Sequence, residues 1–216
     1  NEDTHDSITG LQGSFKKTIQ AIRLLHRHNI PIQINCPIMK QNKDDYSDVI
    51  TWAQSMNIEA DSDYMLFGCY DCSKKNLKCR LSLSEVEAVV TSQCESGAYV
   101  DKLFTEASNK RLDENQPICS VCSASICISN QGNVYPCEGW QGYSVGSILE
   151  SSLLDIWRSS ERVLMLRKLK LGDFPQCVSC DYIRYCSPCL YRNANENSGD
   201  FHKVSPYFCK VAELQK

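Results

Sequence analysis

Four cysteines lie close together in the stretch CVSCDYIRYCSPC, which runs from Cys177 to Cys189. Thiols at this density pair as disulfides, bind zinc or hold iron–sulfur clusters. Zinc sites with four cysteines usually combine two Cys-x2-Cys knuckles from separate hairpins, whereas only five residues separate Cys180 from Cys186 here. In bacterial ferredoxins, a comparably dense run sends its fourth thiolate to a different cluster. That precedent favours one cluster on Cys177, Cys180 and Cys186, and a second cluster reached by Cys189.

The distribution of the 14 cysteines along the 216 residues argues against a secreted disulfide scaffold. Such scaffolds are usually short and rich in loops throughout. Here the first 60 residues contain one cysteine and are typical of a cytosolic α/β protein. Clustered cysteines in a cytosolic protein more often bind metal than form disulfides, so we expect a cytoplasmic metalloprotein.

The number of downstream cysteines fits two sets of four thiolates with one cysteine to spare. They are Cys119, Cys122, Cys127, Cys137, Cys177, Cys180, Cys186, Cys189 and Cys209. The last of these can complete the set begun by the three cysteines of the dense loop, and the first four can join Cys189. Disulfides and zinc remain the alternatives, but the count favours two iron–sulfur clusters.

Composition excludes other classes of function. The net charge is −3 and the isoelectric point about 5.8, so no basic field predicts nucleic acid or an anionic membrane as a partner. No apolar run approaches the roughly 18–20 residues that cross a bilayer. The first residues, NEDTHDSITG, lack the basic and apolar segments of a secretion signal.

The upstream half predicts alternating helices and strands. Apolar residues at helical spacing predict a helix over 14–28 with Ser14 as its N-cap, and a buried strand follows over 30–38. A second helix covers DDYSDVITWAQSMN, and a second strand covers 58–67. This order is typical of a parallel βα array, as in Rossmann-like sheets or TIM-type barrels. Two units are few, so either the fold is small and open or the chain is the second half of something larger.

Downstream, the pattern changes. Ser84 and Glu87 predict a capping box at the start of a helix, and the polar residues 101–118 predict a connection between two modules. ICISNQGNVYPC predicts a hairpin that turns at Asn130–Asn133. SSLLDIWRSSERVLMLRKLKL predicts one helix ending at Gly172, and YFCKVAELQ predicts a short closing helix.

The cysteine frame resembles a known family. A Cys, then GNVYPC, then Cys-x2-Cys-x5-Cys-x2-Cys and a last Cys, over 119–209, resemble the SPASM domain at the C-terminus of radical S-adenosylmethionine (SAM) enzymes that modify peptides and proteins. VYPCEGW, VGSILESSLLDIWRSS and SPYFCKVAEL are similar to that domain's hairpin, helix and closing cysteine. Upstream, HDSITGLQGSFKKTIQAIRLLHRHNIPIQINCPIMKQN resembles the later βα units of the radical SAM partial barrel.

The resemblance implies an α/β fold in three parts. These are the C-terminal portion of a partial TIM-type barrel over 1–100, a linker over 101–118, and a small Cys-rich α+β SPASM domain over 119–216. The family's Cys-x3-Cys-x2-Cys loop, which binds the SAM-cleaving cluster, is absent from the sequence. On this resemblance we expect the chain to be the C-terminal portion of such an enzyme.

The resemblance also implies ligands. Cys177, Cys180, Cys186 and Cys209 would hold an outer auxiliary [4Fe–4S] cluster. Cys137, Cys189 and Cys119 would hold an inner one. Its fourth ligand stays open between two cysteines. Cys122 keeps the spacing to Cys137 seen in sulfatase-maturing members, whereas Cys127 lies in mid-strand and is equally expected to be a small packed residue.

The expected activity belongs to the full-length enzyme. It would bind SAM and a third [4Fe–4S] cluster, abstract hydrogen from a ribosomally made precursor peptide, and form a thioether or carbon–carbon cross-link. An electron donor such as flavodoxin or ferredoxin is the second expected partner. The alternatives are an anaerobic sulfatase-maturing type of enzyme and a non-catalytic iron–sulfur or zinc module that binds a peptide.

A further group of cysteines follows the second predicted strand, in CYDCSKKNLKC. Cys69, Cys72 and Cys79 could form a third metal loop, supply thiols to a neighbouring cluster, or stay unpaired. Cys36 and Cys94 are expected to be a strand-core residue and a helix residue.

Overall fold

The structure is a computed structural model, and the residues that it describes are 1–95, 98–110 and 112–216. The chain divides into two compact units. The N-terminal unit consists of Asn1–Leu66 and Cys79–Glu85, and the C-terminal unit consists of Phe67–Lys78 and Val86–Lys216. Along the described ranges, no helix combines the length and the apolar character needed to cross a membrane.

The N-terminal unit alternates helices and strands, as predicted. Its elements are α1 (Glu2–Thr9), α2 (Ser14–Arg27), β1 (Gln33–Asn35), α3 (Tyr46–Ser55) and β2 (Glu59–Asp61). The two strands pair in parallel, with Ile34 opposite Ala60. Parallel pairing is the arrangement that the helix–strand order predicted.

Both strands are shorter than predicted, and the expectation of a buried strand over 30–38 is wrong. Gln33 and Asn35 are exposed, and Ile34 is half-buried. Each strand has a single neighbour in this sheet, and regular pairing covers three residues of each strand. Backbone bonds at 2.9 Å from Cys36 N to Asp61 O and at 2.7 Å from Ile38 N to Asp63 O continue the contact beyond the strands.

The start of α2 is capped by Asp6 rather than by the predicted Ser14. The buried Asp6 carboxylate accepts hydrogen bonds from Gly13 N at 2.5 Å, Phe15 N at 2.8 Å and Ser14 Oγ at 2.9 Å. The backbone bond from Phe15 contributes most to lowering the pKa of Asp6 to about 2. A carboxylate from the preceding helix thus satisfies N–H groups that would otherwise lack partners.

The capping box of the next helix, α4 (Leu83–Glu95), also differs from the prediction. Ser82 and Glu85 form it, in place of Ser84 and Glu87. Ser82 N donates to Glu85 Oε2 at 2.8 Å, and Glu85 N donates to Ser82 Oγ at 3.3 Å. The sequence LSLSEVE offers two serines with a glutamate three residues later, and the helix begins at the first pair.

The C-terminal unit is built around a three-stranded antiparallel sheet in the order β3-β4-β5. After α4 its elements are α5 (Ala98–Asn109), β3 (Cys127–Ile128), β4 (Asn133–Tyr135), β5 (Gly146–Ser147), α6 (Leu153–Ser159), α7 (Glu161–Lys168), α8 (Pro175–Val178), α9 (Leu190–Glu196) and α10 (Pro206–Leu214). The predicted hairpin is confirmed, with Gly132 in the left-handed region at φ +81 in its turn. The closing helix is confirmed as α10.

Helix α5 covers part of the segment 101–118 that was predicted as a linker. The three-part division predicted from the sequence stays a prediction.

The predicted single helix ending at Gly172 is two helices. Ser160 adopts an extended conformation (φ −61, ψ 121) between α6 and α7, and its Oγ donates to Val145 O at 2.7 Å. Helix α7 ends at Lys168, and Leu171–Asp173 forms a separate 3-10 turn. A hydrogen bond to Val145, the residue directly before β5, thus overrides a continuous helical pattern.

A buried apolar core connects the hairpin with α6, α7 and α9. Val134 and Val163 are fully buried, and Leu166 and Leu190 are each 2% exposed. Burying a side chain of this size contributes about 1.5–3 kcal/mol. Gly146 lets α6 approach the sheet closely, because a Cβ atom there would lie 3.0 Å from Ile156.

Candidate metal centre

One group of thiols lies around the hairpin and the start of α9. Cys119 and Cys122 precede β3, Cys137 follows β4, and Cys189 is the N-cap residue of α9. A tight turn holds Cys122, whose N–H donates to Ser125 O at 3.0 Å. Cys122 has no exposed surface and a positive φ of 56.

These four thiols interact electrostatically with one another. Burial, with a smaller contribution from the charge of Cys189, raises the pKa of Cys137 to about 11. Burial and, to a smaller extent, the charge of Cys189 also raise the pKa of Cys119. Burial raises the pKa of Cys122 to about 11 against the opposing charge of Arg167, and Cys119 adds to the rise. We call Cys119, Cys122, Cys137 and Cys189 the inner thiol set.

A second group lies on the dense loop and on α10. Successive turns wind the loop: Cys180 N donates to Cys177 O, Ile183 N to Cys180 O, and Cys186 N to Ile183 O, each at 3.2 Å. Cys209 comes from α10. Burial, with smaller contributions from the charges of Cys186, Cys209 and Cys180, raises the pKa of Cys177 to about 11. We call Cys177, Cys180, Cys186 and Cys209 the outer thiol set.

Cys127 lies on β3 directly opposite Tyr135 of β4 and is half-buried. Its neighbours on the strand are Ile126 and Ile128, the first packed against the core and the second exposed. The structure thus places Cys127 within the sheet, whereas the inner thiols lie in turns and at a helix start.

The two sets suit an iron–sulfur cluster in their donor chemistry, because each offers four thiols. An unpartnered atom near the inner set supports this fit. Arg167 donates through Nε to Cys122 O at 2.5 Å, while its buried Nη2 has no hydrogen-bond partner. A bound cluster would supply the acceptor that this atom lacks. Across the described ranges, no group of three or more His, Cys, Asp or Glu side chains is already arranged to hold a metal ion.

Sequence reasoning did not identify the aromatic cover of the inner set. Burial, followed by the charge of Cys189, raises the pKa of the Tyr191 hydroxyl. The turn after Cys137 brings Gly139 against the Tyr191 ring, and a Cβ atom there would lie 2.6 Å from it. The glycine in VYPCEGW was the available signal, since close approach to a ring requires a missing side chain.

Residues 119–190 match the SPASM family, an iron–sulfur cluster-binding domain. This part of the chain is a SPASM domain. The match includes both cysteine-rich segments and ends before Cys209, so the closing member of the outer thiol set lies outside it.

Curated relatives extend the similarity over nearly the whole chain. The AdoMet-dependent heme synthase of Methanosarcina barkeri (strain Fusaro / DSM 804) is 24% identical over 231 residues, covering 96% of this chain and 64% of that protein. The antilisterial bacteriocin subtilosin biosynthesis protein AlbA of Bacillus subtilis (strain 168) is 24% identical over 209 residues, covering 91% of this chain and 44% of that protein. The chain therefore spans less than two thirds of the length of these relatives.

Solved structures show the fold. The chain matches native anSMEcpe with bound AdoMet and the Kp18Cys peptide at a TM-score of 0.68 and 16% identity. The match covers 96% of this chain and 60% of that one. The chain thus has the α/β fold of the C-terminal part of a radical SAM SPASM enzyme, with later βα units of a partial TIM-type barrel before the SPASM domain.

The upstream cysteines are placed differently from both thiol sets. Cys79 lies in the N-terminal unit, where Gln41 Nε2 donates to its Sγ at 2.9 Å. Cys72 lies in the C-terminal unit, and its Sγ donates to Ala194 O at 3.6 Å. Ala194 is five residues beyond Cys189 on α9, roughly 7.5 Å along the helix axis at 1.5 Å per residue.

The loop that carries Cys69 and Cys72 is anchored to α9. Asn195 is 2% exposed, and its Nδ2 donates to Gly68 O at 3.0 Å. The Phe67 ring meets the Tyr191 ring edge to face, with centroids 4.7 Å apart. The loop is therefore an integral part of the SPASM-containing unit, and a metal-binding role for its cysteines stays a prediction.

Proposed function

We propose that the chain is the C-terminal part of a radical SAM maturase that modifies a ribosomally made precursor peptide. The two thiol sets would each hold an auxiliary [4Fe–4S] cluster. The observation that carries the proposal is the SPASM match over residues 119–190, together with the placement of all eight cysteines in the one unit that contains it. The relative AlbA, named for subtilosin biosynthesis, and anSMEcpe, solved with a bound peptide, support a peptide substrate.

The dense loop would serve both clusters. Cys177, Cys180 and Cys186 belong to the outer thiol set, and Cys189 acts with the hairpin cysteines. The clusters would supply one-electron transfer when bound. The chain's own part is to position eight thiols, of which Cys122 is buried, six are partly buried and Cys209 is exposed. The Tyr191 ring, packed against Gly139 and Phe67, covers the inner thiol set.

Cys122 rather than Cys127 would complete the inner set. Cys122 is fully buried, interacts with the charge of Cys119, and lies beside the unpartnered Arg167 Nη2. Cys127 is engaged in the strand pairing of the hairpin. The positive φ of Cys122 costs on the order of 1–3 kcal/mol in a residue other than glycine, and such strain is most often kept at functional positions.

The complete enzyme would bind SAM and a third [4Fe–4S] cluster through segments that this chain does not contain. It would abstract hydrogen from a peptide side chain and form a thioether or carbon–carbon cross-link. Flavodoxin or ferredoxin would supply electrons in the cytoplasm. Sulfatase-type maturation is the alternative within the peptide-modifying class.

A second candidate function is AdoMet-dependent heme synthesis, because two curated relatives carry that name and cover 96% and 94% of this chain. The two candidates differ in substrate class. Incubating the full-length enzyme anaerobically with SAM, a one-electron reductant and either a precursor peptide or a porphyrin, followed by mass spectrometry, separates them. A mass change confined to the porphyrin would contradict the maturase proposal.

Metal analysis tests the proposal at the level of the chain. The protein is reconstituted anaerobically with iron and sulfide and analysed for iron, sulfide and zinc. We expect about eight irons and about eight sulfides per chain, from two clusters of four irons. One zinc per chain without sulfide would contradict the proposal and favour the non-catalytic zinc module.

A further inference from the structure

Two positively charged side chains contact the dense loop of the outer thiol set. One precedes the loop in the sequence, and the other follows it. Lys110 follows α5, and its half-buried ammonium group donates to the carbonyl oxygens of Ile183, at 3.1 Å, and Cys186. Both acceptors belong to the dense loop. Arg184, on the same loop, donates back to Lys110 O at 2.9 Å, so the segment after α5 and the loop are held together in both directions.

Arg192 reaches the same loop from α9. It is 8% exposed, and its guanidinium donates through Nη2 to the carbonyl oxygen of Ser187. The guanidinium carbon lies 4.7 Å from the centre of the Phe208 ring, next to Cys209 in the chain. Arg192 thus contacts both segments that supply outer thiols.

Among the described residues, neither cation has an acidic partner. Within the described ranges, no ion pair includes Lys110 or Arg192, and their donors meet only backbone carbonyls. A buried charge without a counter-charge is costly, so an arrangement of two such cations calls for a nearby negative group. The hydrogen bonds place both cations beside the outer thiol set, because Lys110 bonds the carbonyl oxygen of Cys186 itself and Arg192 bonds that of Ser187, the next residue. A cluster held by the outer thiols would supply the negative charge there.

We infer that Lys110 and Arg192 form a cationic clamp that balances the negative charge of the outer cluster and raises its reduction potential. The inference rests on the proposed function, because it requires a cluster on the outer thiol set. Reduction adds one electron to a cluster that is already surrounded by four thiolates. Fixed positive charges at its edge stabilise the reduced form more than the oxidised form.

The two residues are positioning residues rather than ligands. The alternative is that they only tie the dense loop in place through its carbonyls. Charge and hydrogen bonding can be separated, because glutamine keeps an N–H donor without the charge, and arginine keeps the charge at position 110 with a different shape.

The test is a redox titration of the reconstituted protein, followed by electron paramagnetic resonance. The outer cluster is identified as the signal that Cys186→Ala removes. We expect Lys110→Gln and Arg192→Gln each to shift the midpoint of that signal to a more negative potential, and Lys110→Arg to leave it near the wild-type value. Lys210→Gln is the matched control, since Lys210 is exposed and paired with Glu213.

The outcomes distinguish a failure of the proposed function from a failure of the cationic clamp. If the wild-type protein takes up no iron–sulfur cluster, the proposed function fails. If it takes up two clusters and both glutamine variants keep the wild-type midpoint, the clamp is wrong and the residues only hold the loop. If both glutamine variants lose the outer cluster while Lys110→Arg retains it, positive charge is required for binding itself, which supports the clamp.

Discussion

The two units of the chain differ in how they bury apolar side chains. In the N-terminal unit, helix α2 has no buried residue along its described length, and Leu24 and Ile30 are about half exposed at 53% and 49%. Its sheet consists of two strands of three residues each. In the C-terminal unit, a continuous core joins the hairpin, α6, α7 and α9, with Val134 and Val163 fully buried.

This difference coincides with the distribution of the two thiol sets. Both thiol sets lie in the unit with the closed core, and Cys119, Cys137, Cys177 and Cys180 all pack against it. A rigid core fixes the positions from which thiols can reach a cluster. The N-terminal unit supplies βα units with exposed apolar side chains such as Leu24 and Ile30, and its cysteines, Cys36 and Cys79, belong to neither thiol set.

The largest expected effect contrasts one cysteine from each unit. Cys186→Ala removes an outer thiol, so we expect the iron content after reconstitution to fall from about eight to about four per chain. Cys36→Ala removes a thiol of the N-terminal unit and should leave the iron content unchanged. Both contents are measured colorimetrically on protein prepared in parallel. Equal iron loss in the two variants would contradict the assignment of both clusters to the C-terminal unit.

A second contrast concerns packing. Leu190 is 2% exposed and directly follows Cys189, so Leu190→Ala should lower the free energy of unfolding by about 2–5 kcal/mol through lost burial and the cavity left behind. Leu24→Ala, on the exposed face of α2, should change it by no more than about 0.5 kcal/mol. Denaturant unfolding under anaerobic conditions measures both values, and similar losses would show that the two units bury apolar surface equally well.

A third prediction concerns the loop Phe67–Lys78 within the C-terminal unit. Asn195→Ala removes the donor to Gly68 O and leaves that carbonyl without its partner, at a cost of about 1–3 kcal/mol. We expect faster trypsin cleavage after the exposed Lys74 and Lys75. Asn130→Ala, in the exposed hairpin turn, is the control. An unchanged cleavage rate in Asn195→Ala would mean that the loop is held by other contacts.

The smallest expected effect lies in the N-terminal unit. The pKa of Asp6 is lowered to about 2 in the folded protein, chiefly by the hydrogen bond from Phe15 N, against roughly 3.9 in the unfolded chain. The contribution of the carboxylate is therefore fully present above about pH 4 and is lost as the pH falls through 2. The stability difference between wild type and Asp6→Asn should be constant near neutral pH and shrink in acid.

Thermal unfolding across this pH range measures that difference, with Asp101→Asn on the exposed side of α5 as the control. A difference between wild type and Asp6→Asn that does not vary with pH would show that the Asp6 carboxylate stays charged in both states or contributes nothing.

The sequence predicted the features that depend on local pattern and spacing. These include the hairpin around Gly132, the closing helix α10, the helix–strand order and the SPASM resemblance. The features it missed depend on distant partners. The bond from Ser160 to Val145 O breaks a helix that local propensity would continue, and Asp6 replaces Ser14 as the cap of α2.

In the candidate site, too, the sequence predicted what depends on local spacing and missed what depends on distant partners. Spacing alone separated Cys189 from its loop neighbours, because the dense run has a precedent in ferredoxins. The cations Lys110 and Arg192 carry no local signal, since their partners lie on a loop that only the folded chain brings near. The lengths of β1 and β2 could not be predicted from the residue pattern either, because a strand in a two-stranded sheet pairs only as far as its neighbour extends.

The central claim is that Cys189 serves the hairpin cysteines while its loop neighbours serve Cys209. Electron paramagnetic resonance of the reduced, reconstituted Cys189→Ala protein tests it most directly, with Cys209→Ala as the reciprocal variant. We predict that Cys189→Ala perturbs one cluster signal and Cys209→Ala perturbs the other. If both variants perturb the same signal and leave the second intact, the two thiols bind one cluster and the division of the loop is wrong.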